Sequence, residues 1–225
     1  MSRLHTDREY EKELGALRER VLLMGSRVEE MVHDAVQAFT TRDARLARAT
    51  SSIDTQIDRL EVDIDERCLR LLARRQPVAG DLRFITTALK LVTDLERIGD
   101  LASNICERTI ELCAHPPLEV ETDLPEMTQV TSSMLRDCLD AFVTKDVPKA
   151  QRVMERDSLV DAAYAQTFPA LSVHMATDPD NAQRLLSVAR YLERIADHST
   201  NIAEMVVFMV AGTDVRHNQV ATGTA

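Results

Sequence analysis

Apolar residues recur along this chain with the three-to-four-residue spacing of amphipathic helices. Short polar or proline-containing segments separate the periodic stretches. The pattern predicts six helices, over about residues 6–39, 44–72, 81–113, 126–142, 147–175 and 181–210. Asp81 is the predicted N-cap of the third helix. Pro169 lies inside the fifth helix and is expected to kink or split it, and Gly212 is expected to end the sixth.

The third and sixth predicted helices carry the same polar motif. Leu91–Glu107 reads LVTDLERIGDLASNICE and Val188–Glu204 reads VARYLERIADHSTNIAE, at an offset of 97 residues. Most shared positions are polar, whereas a repeat kept only for packing would preserve mainly apolar ones. A second match, of Ala38–Asp43 with Ala141–Asp146, has an offset of 103, so the connection between the second and third helices of a half is six residues shorter in the second half. The sequence therefore predicts an all-α fold of two tandem repeated three-helix bundles.

The segment 114–125 contains three prolines and is the predicted linker between the two halves. We expect a first three-helix bundle over residues 1–115 and a second over 116–212. Residues 213–225 then form a C-terminal tail, which is expected to be frayed from His217 onward.

Composition narrows the class of function. The formal net charge of −10 argues against nucleic-acid binding, because a phosphate backbone would be repelled, and is compatible with cations or with basic patches on partner proteins. The four cysteines show no CxxC spacing and are expected to be reduced core residues of a cytosolic protein. No run of about 18 apolar residues predicts a membrane span, and the N-terminus lacks the apolar core of a signal peptide.

Carboxylates four residues apart are the candidate site chemistry. Each pair falls on one helical face, where like charges repel by a few tenths of a kcal/mol, and a bound cation would remove that cost. The second and third helices of a bundle are neighbours, so each half is expected to bring two pairs together across one groove. The predicted ligands are Asp54, Asp58, Glu96 and Asp100 in the first half and Asp157, Asp161, Glu193 and Asp197 in the second.

In the third helix the carboxylates lie roughly opposite an aliphatic stripe, which predicts that they face solvent. Oxygen-rich sites of this type suit Mg²⁺, Mn²⁺, Ca²⁺ or iron, rather than zinc in a thiolate cage. The candidate cofactors are thus divalent or iron ions, with Mg, Mn, Fe and Zn all kept open. Glu61 and Asp65 continue the acidic stripe of the second helix.

Other readings of these residues stay open. Exposed helical faces are often acidic without binding anything, and Arg97 and Arg194 are then ordinary ion-pair partners of the stripe. Glu30 and His33 have the ExxH spacing of di-iron carboxylate bundles, but the second half has no matching unit. The sequence offers no nucleophile–base pair and no phosphate-cradling glycine loop, so a non-enzymatic protein is expected.

Four segments together resemble the PhoU family, whose members are accessory regulators of bacterial phosphate-specific transport. These segments are ARRQPVAGDLR (Ala73–Arg83), DLERIGDLASNI (Asp94–Ile105), YLERIADHSTNIAEMV (Tyr191–Val206) and GTDVRH (Gly212–His217). The resemblance covers nearly the whole chain, and the doubled ERIGD/ERIAD motif makes it specific. The two copies of this motif are not identical: the first has Gly99 where the second has Ala196.

The resemblance implies two repeated three-helix bundles whose acidic motifs bind metal clusters in some relatives. It implies a cytoplasmic negative regulator of the phosphate-starvation response. Its expected partners are the ATPase subunit of the phosphate ABC transporter, a sensor histidine kinase and a second copy of the chain in a homodimer. Two alternatives remain, a metal-buffering or carboxylate-metal protein and a purely structural helical interaction module.

Overall fold

Helices account for all the regular structure of the described chain. The computed structural model describes the backbone of residues 2–213 and the side chains of residues 8–213. Within that range no strand occurs, and a short 3₁₀ helix, Val173–Ala176, follows the sixth helix. The helices are α1 Ser2–Thr41, α2 Ala44–Ser51, α3 Asp54–Arg74, α4 Ala79–Cys113, α5 Leu124–Thr144, α6 Val147–Ser172 and α7 Pro179–Ala211. The all-α prediction is confirmed.

The second predicted helix is interrupted, so the prediction of one helix over residues 44–72 is wrong. Thr50, Ser51 and Ser52 each donate a hydroxyl hydrogen bond to a carbonyl three or four residues earlier. Such back-bonding competes with the helical ladder. The backbone N–H groups of Ser52 and Ile53 bond three residues back rather than four, and the helix resumes at Asp54 as α3.

Asp81 does not cap the third predicted helix. That helix, α4, begins two residues earlier at Ala79, and its N-cap, Val78, makes no side-chain capping bond. Asp81 instead lies in the first turn, where its carboxylate accepts the Tyr10 hydroxyl at 3.1 Å and lies 3.8 Å from Arg18 Nη2. The Asp81 side chain, predicted to cap the helix, therefore contacts α1 instead.

The remaining boundaries agree to within a few residues, and Pro169 does not split its helix. α6 continues through Pro169 to Ser172 before the chain tightens into the 3₁₀ turn. Pro169 is exposed, so water can satisfy the carbonyl that loses its helical partner. Gly212 ends α7 in the left-handed conformation, at φ 71°, as expected. The predicted frayed tail from His217 lies outside the described residues.

α4 and α7 join the two halves. They run antiparallel, because Arg83 near the start of α4 donates from Nε to the carbonyl of Met209 near the end of α7, at 3.3 Å. At the opposite end, Arg184 Nε lies 3.0 Å from Glu111 Oε2. Most buried apolar residues of both halves belong to one cluster. The predicted boundary near residue 115 divides two sequence repeats that share one hydrophobic core. As a domain boundary it stays a prediction.

The helices are amphipathic rather than uniformly apolar. Across the described residues, none of them is long and apolar enough to cross a membrane.

Candidate functional site: two acidic clusters

The first acidic cluster, Asp54, Asp58, Glu96 and Asp100, lies where α3 packs on α4. Burial raises the pKa of Asp54, and the negative charges of Asp58 and Asp100 raise it further. Burial also raises the pKa of Glu96, with Asp100 as the next largest cause and smaller contributions from Glu61 and Asp58. The carboxylates of α3 and α4 therefore lie close enough to raise one another's pKa.

Arg97 partly neutralises this cluster. Its Nε atom lies 3.4 Å from Glu96 Oε2 and its Nη1 atom 3.2 Å from Asp100 Oδ2. The expectation that Arg97 pairs with the acidic stripe is therefore confirmed. Glu61, on the neighbouring helix, has a pKa raised by burial and by Asp65 and lowered in part by Arg97. One guanidinium thus faces several carboxylates, and the groove keeps an excess of negative charge.

The second acidic cluster, Asp157, Asp161, Glu193 and Asp197, occupies the equivalent place between α6 and α7. Burial is the main cause that raises the pKa of Asp157, Glu193 and Asp197. The charge of Asp161 raises all three further, while Arg194 lowers the pKa of Glu193 and Asp197. The repeat therefore reproduces the electrostatics of the first groove as well as its residues.

The eight carboxylates lie at or near the surface. Asp58, Asp161 and Asp197 are exposed, and the other five are partly buried. The aliphatic stripe of the same helices is in the core, where Ile98 and Ile195 are fully buried. The structure thus places the carboxylates and the aliphatic stripe on different sides of the helix.

A hydroxyl group acts on one carboxylate of each cluster, and sequence reasoning missed it. Thr200 Oγ1 donates to Asp157 Oδ1 at 3.2 Å, and the Ser103 hydroxyl lowers the pKa of Asp54 against the effect of burial. Ser103 and Thr200 are equivalent at the offset of 97. The sequence did contain a signal for these contacts, because both copies of the repeat have a hydroxyl residue at this position.

The helices of the first cluster approach closely at Gly99. A Cβ added there would lie 3.1 Å from Ile57 Cδ1 and 3.7 Å from Asp54 Oδ1. In the second half the equivalent residues are Ala196 and Val160, both buried. Compared with the other half, the first half has one more methyl group on α3, in Ile57, and the second half has one more on α7, in Ala196.

A further pair, Asp94 and His198, lies between the two clusters where α4 meets α7. His198 Nδ1 is 2.7 Å from Asp94 Oδ1, and the two side chains are 18% and 17% exposed. Asn201 Nδ2 lies 3.5 Å from the same carboxylate oxygen. Sequence reasoning missed this contact because neither residue is repeated: Tyr191 and Leu101 occupy the equivalent positions.

The clusters contain the oxygen ligands that a cation site needs, but these ligands do not converge on one point. Carboxylate oxygens are the ligands of Mg²⁺, Ca²⁺ and Mn²⁺, and mutual repulsion here is what a cation would relieve. Among the side chains of residues 8–213, however, no three His, Cys, Asp or Glu groups converge as they stand into a set that could hold a metal ion. Cation binding at either cluster therefore requires its carboxylates to rotate toward one another.

Comparison with known proteins agrees with the repeat. The family model described as PhoU domain matches the sequence twice, over residues 21–109 and 124–206. A protein of Pseudomonas putida named phosphate-specific transport system accessory protein PhoU homolog is 43% identical over 219 residues, which cover 95% of this chain and 85% of that protein.

Two crystal structures show the same architecture. That of PhoU from Pseudomonas aeruginosa superposes with a TM-score of 0.87 at 40% identity, covering 91% of this chain and 100% of the other. That of the phosphate transport system regulatory protein PhoU from Streptococcus pneumoniae gives a TM-score of 0.82 at 30% identity and covers 92% and 99%. The likeness thus extends over both repeats.

Proposed function

Because the chain belongs to the PhoU family, we propose that it is a cytoplasmic adaptor that represses the phosphate-starvation response and modulates phosphate uptake. Its relatives are named as accessory and regulatory proteins of phosphate transport. In this proposal it contacts the ATPase subunit of the phosphate ABC transporter and the sensor histidine kinase. It forms a homodimer and reaches the membrane through these partners.

The two surface acidic clusters are the observation that carries the proposal. A protein that works through contacts needs functional groups that a partner can reach, and these carboxylates are exposed or partly buried at the surface. A carboxylate-metal enzyme instead turns its ligands into the bundle interior. Here the interior at these helices is aliphatic, with Ile98 and Ile195 fully buried. That placement supports action through contacts.

Cations belong to the proposal as supports of the docking surface. Asp54, Asp58, Glu96 and Asp100 would hold a cation in the first groove, and Asp157, Asp161, Glu193 and Asp197 would do so in the second. Magnesium, manganese, iron and zinc ions are the candidates. A bound cation would reduce the repulsion within each cluster and would accept an oxygen ligand from a partner at an open coordination position.

Metal uptake has its own test. Protein purified without chelator and the variant Glu96→Ala/Asp100→Ala are compared by elemental analysis and by calorimetric titration with Mn²⁺. The variant is expected to lose the ions bound in the first half and to keep those in the second. Affinity is expected to weaken in acid because the ligands must be deprotonated. Equal uptake by both proteins would remove metal from the proposal and leave the adaptor role standing.

The functional test uses a bacterial strain that lacks its own family member and carries a phosphate-starvation reporter. The substitutions Glu96→Ala, Asp100→Ala, Glu193→Ala and Asp197→Ala are introduced together, and circular dichroism checks that the helices persist. We expect de-repression in high phosphate together with weakened association with the transporter or the kinase.

A matched control carries the same number of charge removals at exposed acids outside the clusters, namely Glu11→Ala, Glu19→Ala, Glu119→Ala and Glu155→Ala. This control is expected to keep the reporter repressed. Full repression by the cluster variant would rule the acidic grooves out as the functional surface.

A further inference from the structure

A separate groove, of about 340 Å³, opens at the end of the molecule where α4 begins and α5 and α7 end. The rings of Phe84 and Phe142 form its base, with centroids 6.3 Å apart. Leu22, Val143 and Val210 line its wall and are 42%, 56% and 38% exposed. The groove therefore offers solvent a mixed surface, in which exposed apolar side chains lie beside charged ones.

This end groove is separate from the acidic clusters. Glu96 lies 12 residues beyond Phe84 along α4, which is roughly 18 Å at the helical rise of 1.5 Å per residue. The end groove takes residues from α1 and α4 of the first half and from α5 and α7 of the second. A molecule bound there would touch both repeats.

The charge of the end groove is opposite to that of the chain. Arg18, Arg83 and Lys145 line it, and Asp81 is the single carboxylate among its described lining residues. Asp81 is already engaged by the Tyr10 hydroxyl and by Arg18, whose guanidinium also lies 5.2 Å from the centroid of the Phe84 ring. On a chain of net charge −10, this leaves Arg83 and Lys145 as a local positive field.

Neither of these two cations has its charge satisfied within the described structure. Arg83 donates one bond, from Nε to the uncharged carbonyl of Met209. Lys145 sits just beyond α5 with φ 57°, exposed at the rim. Both are therefore available to carboxylates that approach from outside.

We propose that the end groove docks an acidic peptide segment of a partner protein, inserted by one bulky apolar side chain. The apolar side chain packs between Leu22, Val143 and the two phenylalanine rings, and flanking carboxylates meet Arg83 and Lys145. A bare anion would leave the apolar wall unused, and a basic peptide would meet like charge. The inference rests on the proposed function, in that an adaptor needs a partner-binding surface, and it names that surface and its chemistry.

The test uses a displayed library of random twelve-residue peptides as the probe. The library is selected on Val62→Glu, which places a new carboxylate on an apolar residue of α3 that is 58% exposed and away from the end groove. It is then counter-selected on Val143→Glu, which makes the same change at a residue 56% exposed in the groove. The enriched peptides are expected to carry Asp or Glu on both sides of a Leu, Phe or Trp.

Affinities of an enriched peptide are then measured by fluorescence anisotropy. Val143→Glu is expected to weaken binding by about tenfold or more, the loss typical of an anchor position, and Val62→Glu to leave it within about twofold. Lys145→Asn removes the rim charge with a residue that tolerates positive φ. It is expected to weaken binding about threefold and to reduce its salt dependence.

Three results would overturn the proposal: no enrichment that depends on Val143, enrichment of peptides without acidic residues, or Val143-dependent binding to phosphatidylglycerol vesicles in place of peptides. The reporter strain separates this inference from the proposed function. If the cluster variant de-represses while no Val143-dependent acidic peptide is enriched, the groove assignment fails and the adaptor role stands. If such peptides are enriched and the cluster variant stays repressed, the groove stands and the adaptor role through the acidic surfaces fails.

Discussion

Ile57 and Gly99 set how closely α3 approaches α4, and moving one methyl group between them tests that approach. The second half uses Val160 and Ala196 at the same places. The double substitution Ile57→Val/Gly99→Ala therefore gives the first half the residue pair that the second half already has. Each single substitution changes only one side of the contact.

The magnitudes follow from the distances. Gly99→Ala gains about 1 kcal/mol of helix propensity, but its Cβ would lie 3.1 Å from Ile57 Cδ1. Because Ile57 is fully buried, its terminal methyl has little room to move, and overpacking costs about 1–3 kcal/mol. Ile57→Val alone costs about 0.5–1.5 kcal/mol.

The two changes together remove the clash. With Cδ1 gone, the nearest remaining atom of residue 57 is Cγ2 at 3.5 Å from the new Cβ, an ordinary contact. Gly99→Ala is then expected to stabilise the Ile57→Val protein by about 1 kcal/mol, although it is neutral or destabilising in the native background. The coupling free energy between the two sites is about 1–3 kcal/mol.

Urea denaturation followed by circular dichroism, in EDTA, measures all four proteins of the cycle. The m-value is checked for constancy so that the midpoints report stability. A chain of this size shifts its Tm by about 2–4 °C per kcal/mol, so a thermal melt gives a second reading. If the two changes add to within about 0.3–0.5 kcal/mol, the close approach of the helices at Gly99 is refuted.

Three further predictions concern the acidic clusters. Ile98→Ala is expected to lower the free energy of unfolding by about 2–5 kcal/mol, whereas Asp100→Ala should change it by less than about 1 kcal/mol in chelator. If urea denaturation gave the reverse order, the assignment of Ile98 to the buried face of α4 and Asp100 to its surface face would be wrong. Asp197→Asn is expected to stabilise the chelated protein at pH 7. Partial desolvation at the helix contact, together with the charge of Asp161, raises the folded pKa of the exposed Asp197. The folded state therefore binds the proton more tightly than the unfolded state does, and the repulsion is relieved as pH falls through that raised pKa. The gain should therefore shrink in acid, and a gain that grew on acidification in pH-resolved melts would contradict this. Thr200→Val removes the hydroxyl that donates to Asp157 and should cost about 1 kcal/mol, while Thr200→Ser should keep most of the stability; equal losses in the two variants would show that the hydrogen bond contributes nothing.

Periodicity and the internal repeat predict most of this fold because both are properties of whole helices. The repeat also located both clusters, since equivalent residues of a duplicated sequence occupy equivalent places. The break between α2 and α3 was missed because it shows only in the backbone bonds of Ser52 and Ile53, which reach three residues back, while the apolar pattern continues through it. Asp81 was misassigned because Tyr10 and Arg18, some 60 to 70 residues away in sequence, compete for its carboxylate.

The part of the site that sequence reasoning missed consists of contacts between helices. Thr200 and Asp157 meet only once α6 packs on α7, and Asp94 and His198 meet only across the contact between the two halves. Spacing along one helix gives the direction of a side chain but not its partner on another helix. For this reason the acidic residues were found, while the hydroxyls that hold them were not.

The antiparallel contact of α4 with α7 has a consequence for the origin of the chain. Arg83 meets Met209, whose repeat equivalent is Leu112, and Glu111 meets Arg184, whose equivalent is Thr87. Each end of α4 thus contacts the opposite end of α7, its equivalent in the second repeat. Such an arrangement is the pattern of a two-fold symmetric dimer.

We infer that a single-repeat ancestor paired with a second molecule through this face, and that duplication fused the two subunits. Fusion makes their association independent of protein concentration. It also frees each copy to change alone, because a symmetric dimer would have to make the Asp94–His198 contact twice. The present chain makes it once and has Leu101 and Tyr191 at the mirror positions.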